Sequence, residues 1–541
     1  MHAQGLIVSS LLLLADGGGK VTLSPSGQTW LVIALAGYLL MLLGVSIYAS
    51  FNVKDEQDFL VAGRRLPLHL SWGALMATWF GSSAIIGATK NAWESGLSGV
   101  ILDPFGCSAT LLFTGLVFAK PLWRLQLFTM ADFYKQKFGP KAEFIACAIQ
   151  VPTFFCWIAS QYVALAAVAE AYFPVDHTTA IIISAILVTT YTLIGGMWSV
   201  TLTDAIQIVI ALVGLVALGN SVFASMGNGS IIQGVGTVLQ QTDASRLVFV
   251  TDPTSYAWLL AIGTFLTGLF GNVPGQDLQQ RIFASKDERT AMLSCVLSAM
   301  LYLAFGLIPV LLGLAAHVMQ LQPAEGDTDG HSLLPLLAAR FLGEGMVIVF
   351  VLAIISIVVS VATSATISQA TILASNVLGR FKLFEGKHLL LDRVCVFIVT
   401  VGSVIVAFSG ESIMGLLDIQ LSLAMVCMFT PLVMGVFGKP RSELSGYLPM
   451  VVGGLVWLSR FLFERAVAPH PEGSDLAYPT HVAQAFAQAG YPSPVTTAAW
   501  LFAEIPADIL GLLASIAAYF VAQAIARPAK SADEGLKNYP A

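Results

Sequence analysis

Apolar runs of 20 or more residues recur from one end of this chain to the other, and that recurrence constrains its fold more than any motif does. A run of that length matches the hydrocarbon thickness of a bilayer, where backbone N–H and C=O groups must be satisfied internally, as a helix does. With 56% hydrophobic and 11% charged residues in 541, the chain is expected to be an all-α polytopic membrane protein. Thirteen spans are predicted: 29–49, 70–91, 99–119, 144–172, 178–196, 200–221, 255–275, 290–319, 347–377, 390–410, 415–436, 444–464 and 500–526. One transmembrane domain over 29–526 then lies between an N-terminal extension, 1–28, and a tail, 527–541. Residues 5–14 form an apolar run too short to span, either a signal-peptide core or a surface-lying extension, with no Lys or Arg ahead of it.

Basic residues give the orientation. With the N-terminus outside, the segments left in the cytoplasm, counted with Arg393 at the inner edge of the tenth span, hold 20 of the 26 Lys and Arg residues, among them Arg64, Arg65, Lys120, Arg124, Lys135, Lys286 and Arg289. This positive-inside pattern predicts a multi-pass plasma-membrane protein with a cytoplasmic C-terminus. All six cysteines fall within spans and no CxxC occurs, so neither disulfides nor a Cys/His metal site is expected.

Two spans are poorly made as helices. Trp72–Glu94 is apolar enough to cross but carries Gly81-Ser82-Ser83 at its middle. Glycine costs about 1 kcal/mol relative to Ala within a helix, and Ser offers the backbone competing hydrogen bonds. Small residues here either let helices approach closely or break the helix. Gly263–Gln276 repeats the feature, with Gly268, Gly271, Pro274 and Gly275 crowded into its later half. Interrupted spans in corresponding positions of two halves are the sequence mark of a midplane binding site in secondary transporters. With the first span set aside, each broken span opens a group of five, giving core repeats over about 70–221 and 255–436. An odd number of spans inverts the second group, a five-plus-five inverted repeat. The longer loops, 222–254, 320–346 and 465–498, are predicted outside as lids or caps.

Four further stretches carry a resemblance: Phe118-Ala-Lys-Pro-Leu, Phe128 to Gly139, Tyr191 to Gln207 with its Gly-Gly turn before Thr203, Asp204 and Gln207, and Gln276-x-x-x-Gln280-Arg281-x-x-Ala284-x-Lys286. Over about 28–437 the chain resembles the sodium:solute symporter family, and within it the high-affinity choline transporters. That resemblance implies a leucine-transporter-type (LeuT-like) fold importing a small polar organic solute by alternating access, coupled to sodium.

Candidate site residues follow. Asp204, one turn into the sixth span, must face the bundle, since a lipid-facing carboxylate at depth costs roughly 2.5–3.5 kcal/mol. It is either a helix N-terminal carboxylate bonded to the Gly-Gly turn or an inner station on the ion path. Asp103 precedes Pro104, which pushes it away from the α region, so it marks either a capped kink or an anionic contact for a cationic solute. Gln150, Trp157 and Gln161 share one face of the fourth span. By resemblance, Trp79 and Trp157 match two tryptophans of the choline transporters' aromatic cage, while Gly275 stands where the third would be. Ordinary core packing is the competing reading for Trp157. With Asp103, Gln161 and Gln276 these two form the predicted solute cavity. The family's sodium site carries over to Ala77, Phe80, Ile357, Ser360 and Val361, and Val361 has no hydroxyl to offer. Thr363 and Ser364, at i+3 and i+4 from Ser360, are the substitutes.

The expected partners are a solute, cationic if Asp103 is its contact, a sodium ion and the lipid bilayer, with no cofactor and no obligate protein partner implied. Nothing points to catalysis or nucleic-acid binding. A solute sensor derived from a transporter competes, but the 15 residues after Ala526 are too few for an output domain. A proton-coupled or uncoupled carrier is the other alternative.

Overall fold

The apolar runs fold as helices, and where the sequence is weak the helices stop. The computed structural model describes residues 23–51, 61–194, 197–251, 254–324, 327, 330–380, 388–467, 478–489 and 492–526. The extension's apolar run 5–14, the Gly195-Gly196 turn and the tail lie outside the described residues. In chain order the main helices are α1 Pro25–Ser50, α2 Leu68–Trp79, α3 Ala88–Ser95, α4 Cys107–Phe113, α5 Pro140–Tyr172, α6 His177–Ile194, α7 Met197–Met226 and α8 Ser255–Phe270. There follow α9 Gln276–Ala284, α10 Glu288–Val318, α11 Glu344–Ile372, α12 His388–Ala407, α13 Ile413–Ala424, α14 Thr430–Phe437, α15 Leu444–Leu462 and α16 Ala507–Ile525.

Among the described residues ten segments are long and apolar enough to cross a membrane. Ser83–Arg124 runs through parts of the second and third predicted spans as one such segment, and the fifth and seventh predicted spans appear as the shorter apolar helices His177–Leu193 and Ser255–Phe270. Merging two of the thirteen predicted spans and shortening two others accounts for the ten segments.

Local signals set the helix starts. Thr254, Asp287 and Ser412 cap α8, α10 and α13, their side chains accepting from the backbone N–H three residues on. Helix α5 begins with Pro140 after Gly139, whose φ of 120° suits glycine. This 33-residue helix is the central strut, packed against α6, α11, α12 and α13. Helix α2 packs on α7, α9, α10 and α11, whereas α15 and α16 form a peripheral pair.

Glycines let two of these elements touch backbone to backbone. A Cβ at Gly268 of α8 would sit 2.7 Å from the Gly106 Cα, just ahead of α4. Thr110 of α4 donates to the Leu269 carbonyl at 3.0 Å over the same contact. Neither chain can back away from a methyl there. Gly268→Val should destabilise the folded protein by about 1–3 kcal/mol, read as a fall in its melting temperature in detergent.

The long loops predicted outside carry short helices, Ile231–Gln241, Leu333–Phe341 and Tyr478–Gln488, and Ser493–Glu504 follows them. Trp93 donates to the Leu321 carbonyl at 3.0 Å, and Arg246 donates to the Trp93 and Glu94 carbonyls, each at 3.0 Å. These contacts tie the loops to the end of α3. All six cysteines are unpaired.

Candidate functional site

Helix α2 ends where the sequence offers Phe80-Gly81. Phe80 turns to φ −76°, ψ 75°, and the Gly81 N–H bonds back to the Trp79 carbonyl at 2.8 Å. The Ala77 carbonyl thereby loses its helical donor. The Ser82 N–H, which would have served Thr78, goes to Gln161 Oε1 of α5 at 3.1 Å. A methyl on Gly81 would meet Val361 at 3.0 Å and Gln161 at 3.1 Å, so the break is wedged between α11 and α5.

The second break runs from Gly271 to Gly275, between α8 and α9. Its Pro274 carbonyl accepts from Gln150 Nε2 of α5 at 3.0 Å, and its Val273 carbonyl from Gln279 Nε2 at 2.5 Å. Two glutamines of one helix thus serve both breaks. They lie eleven residues apart, a rise of about 16 Å at 1.5 Å per residue. The two glutamines of the stripe therefore brace both breaks. A Cβ at Gly275 would lie 2.2 Å from Asn272 Oδ1, so a side chain there needs the Asn272 amide to turn away.

Trp79 and Trp157 are each 4% exposed and belong to the same packed core, and both indole N–H groups lack a hydrogen-bond partner. Buried donors are ordinarily satisfied, so two orphans beside a helix break mark a place suited to an acceptor. Gln276 sits elsewhere. Its amide accepts from the Met130 N–H at 2.7 Å and donates to the Phe128 carbonyl at 3.2 Å, holding the start of α9 to the Phe128–Met130 turn.

A polar cluster occupies the other side of the first break. Ser360 Oγ of α11 lies 3.3 Å from the freed Ala77 carbonyl and hydrogen-bonds the Asp204 carboxylate of α7. Ser364 Oγ is 3.5 Å from the other Asp204 oxygen and accepts from Arg281 Nη2 of α9 at 2.7 Å. Arg281 and Asp204 stand 3.8 Å apart, 2% and 1% exposed. The Thr363 hydroxyl is buried without a partner, although Thr366 and Thr371 on the same helix return theirs to carbonyls four residues back. The other polar residues of the Asp204 motif fix its helix: Thr203 bonds the Tyr191 hydroxyl at 2.6 Å, and Gln207 donates to Tyr38 of α1 at 3.0 Å.

Asp103 has an extended backbone, φ −141° and ψ 124°, as its place before proline predicts. Its carboxylate is fully buried and accepts from Ser83 at 2.6 Å and from Tyr302 of α10 at 2.8 Å. Tyr302 was not singled out in the sequence, Ser83 was read there only as part of the break, and the pairing of Arg281 with Asp204 was not foreseen. Only the two families of motif, Thr-Asp and Gln-Arg, hinted at that ion pair.

The family profile of the sodium:solute symporters matches residues 59–453, most of the chain. The chain belongs to the sodium:solute symporter family. As a member it is a secondary active symporter, and sodium is the coupling ion that the family implies. It is 27% identical to the high-affinity choline transporter 1 of Drosophila melanogaster over 438 residues, covering 78% of this chain and 69% of that one. The human high affinity choline transporter 1 is 26% identical over 475 residues, covering 82% and 80%. The resemblance to that branch is thus borne out. Among solved structures, a Na+-coupled sialic acid symporter, described as revealing a novel Na+-site, has a TM-score of 0.71 at 20% identity and covers 93% of this chain and 98% of its own. The nucleobase-cation-symport-1 family transporter Mhp1 has a TM-score of 0.52 at 12% identity, covering 87% and 95%. The leucine-transporter-type fold expected from the two breaks is the fold observed.

Proposed function

We propose that this symporter imports a small polar organic solute bearing an ammonium or similar cationic group and an oxygen acceptor. It binds beside the first break between Trp79 and Trp157. The observation that carries the reading is the pair of buried, unpartnered indole N–H groups of Trp79, two residues before Gly81, and of Trp157, one turn before the Gln161 that bonds the break. Aromatic faces favour ammonium groups by about 0.5–2 kcal/mol each, while the orphaned N–H groups call for an acceptor that a bare quaternary ammonium lacks. The likeness to choline transporters supports a cationic solute, and Gly275 in place of a third ring argues for one larger or differently charged than choline. Gln161 positions the break in this scheme, Asp103 adds negative charge behind it when ionised, and Gln276 acts by anchoring α9.

Sodium binds at the carbonyls of Ala77, Phe80 and Ile357 and the hydroxyl of Ser360, with Thr363, Ser364 and the charge of Asp204 completing the set one turn deeper. A hard cation needs several oxygens, and Val361 removes one from the family's set. An anionic oxygen already bonded to Ser360 offsets that loss. Proteoliposome uptake of labelled choline, amino acids, betaine-like carboxylates and sialic acid, screened with and without an inward sodium gradient, tests the reading. At least one solute should accumulate only with sodium, half-saturating at high sodium, and Val361→Ser should lower that half-saturation point. Uptake indifferent to sodium in both proteins overturns the coupling.

The N-terminus lies outside and the C-terminus in the cytoplasm of the plasma membrane, a reading supported by the 20 of 26 basic residues that fall on one side. Reporter fusions after Arg289 and after Ala526 should both be cytoplasmic. An external signal at either reverses the orientation.

A further inference from the structure

Asp103 differs from Asp204 in one physical respect. Asp204 has Arg281 beside it, whereas Asp103 forms no ion pair with any Lys, Arg or His among the described residues and is fully buried. Its neighbours are hydroxyls and apolar groups. Ser83 lies 2.6 Å from Oδ2, Tyr302 Oη lies 2.8 Å from Oδ1, and Tyr302 Oη also lies 3.4 Å from the Trp79 carbonyl at the first break. The titratable groups facing Asp103 are Tyr302 from α10 and Cys107 from its own span. Helix α8 brings Gly268 against Gly106, and α10 brings Gly306 against Pro104. Arg289 and His317 lie at the two ends of α10, and neither is paired with Asp103, which bonds only Ser83 and Tyr302.

An isolated carboxylate in such a place costs far more than two neutral hydroxyls return, so it takes a cation or a proton. A hard cation of sodium's size needs oxygens gathered around one centre at roughly 2.3–2.6 Å. Here the oxygens are already paired at hydrogen-bond distance, with a proton between each pair and no common centre. Counting donors favours a proton. In the ionised form Ser83 and Tyr302 both donate to Asp103, and the Tyr302 contact with the Trp79 carbonyl holds no proton. In the protonated form Asp103 Oδ1 donates to Tyr302, Tyr302 donates to the Trp79 carbonyl, and Ser83 still donates to Oδ2. One proton adds one hydrogen bond, and that bond ends on the broken helix.

We propose that Asp103, Ser83 and Tyr302 form a proton-binding site whose loaded form ties the first break to α10, giving the symporter a second coupling ion beside sodium. On loading, a proton from water forms an O–H bond at Asp103 Oδ1, and the Tyr302 hydroxyl turns from Asp103 to the Trp79 carbonyl. On unloading that O–H bond breaks, the proton returns to water and Tyr302 turns back. The site goes beyond the sodium-coupled import proposed above and does not need it.

Infrared difference spectroscopy of the protein reconstituted in lipid, titrated from acid to alkaline pH without solute or sodium, reads the proton directly. The wild type should show a protonated-carboxyl band that fades as pH rises, is absent from Asp103→Asn and persists in Asp204→Asn. Tyr302→Phe should keep the band but shift it to the frequency of a more weakly hydrogen-bonded acid, which keeps the test open if Asp103→Asn fails to fold. A spectrum identical in wild type and Asp103→Asn at every pH overturns the proposal. So does a carboxylate band that responds to added sodium at fixed pH, which would make this a metal-ion site. Because no uptake is measured, failure of sodium-driven transport leaves this result standing, and loss of the band leaves the sodium reading standing.

Discussion

Asp204→Asn should be the most damaging single substitution around the first break, lowering the stability of the folded protein by about 3 kcal/mol and abolishing sodium-dependent uptake. The substitution keeps the shape and removes the charge. Arg281 is then left 2% exposed on α9 with its partner at 3.8 Å neutralised, and breaking a buried pair from one side costs about 3–5 kcal/mol. The lower end of that range is expected because Asp277, one turn earlier on α9, supplies some residual negative charge. Removing both charges separates the two effects. Asp204→Asn with Arg281→Gln should recover most of the melting temperature, since no unpaired ion remains buried, yet uptake should stay indifferent to sodium. If the double variant regains sodium dependence, Asp204 serves only to neutralise Arg281 and the sodium site is the Ala77, Phe80, Ile357 and Ser360 set alone. If Asp204→Asn is as stable as the wild type, the ion pair contributes nothing to the fold.

What the sequence revealed about this region follows from how each feature is encoded. The breaks were legible because glycine, serine and proline act locally: Gly81 and Pro274 weaken their helices whatever surrounds them. Their meaning for the fold was legible too, since an odd number of spans between equivalents fixes the inversion by arithmetic. The thirteen-span count was less well encoded. Ser83 to Arg124 reads as one continuous apolar segment, and α8 ends at Phe270, five residues short of the predicted span. At the site, Asp204 could be placed in the bundle by the cost of exposing it to lipid. Its partners Arg281, Ser360 and Ser364 lie on two other helices 77 or more residues away in sequence, and no local signal specifies that meeting. Gln276 shows the converse. It stands in the right motif at the right break, yet the first turn of α9 points it at the Phe128 and Met130 backbone. Tyr302, and the bond from Ser83 to Asp103, were invisible for a plainer reason, as single hydroxyls within apolar spans resemble the many that bond their own helix.

Trp157→Ala should weaken binding of the transported solute by about 1–3 kcal/mol, roughly fivefold to 150-fold, and Trp79→Ala by a similar factor, with folded protein retained in both. Each ring is 4% exposed and packed into the main core, so some loss of stability accompanies truncation whatever the ring's role. Milder substitutions separate the two contributions. Trp157→Phe keeps an aromatic face and removes the orphaned N–H. If the solute offers an acceptor to that N–H, Phe should lose part of the affinity while leaving the melting temperature close to wild type. If the ring is only core, Phe should leave affinity unchanged. The same logic bears on the missing third ring. Gly275→Trp should not tighten binding of a quaternary ammonium, because its Cβ would lie 2.2 Å from Asn272 Oδ1 and the buried Asn272 side chain would have to turn away to admit it. Equilibrium binding measured on the purified variants decides each case. Wild-type affinity in both alanine variants would return Trp79 and Trp157 to packing and move the solute site away from the first break. A tighter Gly275→Trp protein would show instead that the Asn272 turn yields, and that this chain's cage is open by one substitution alone.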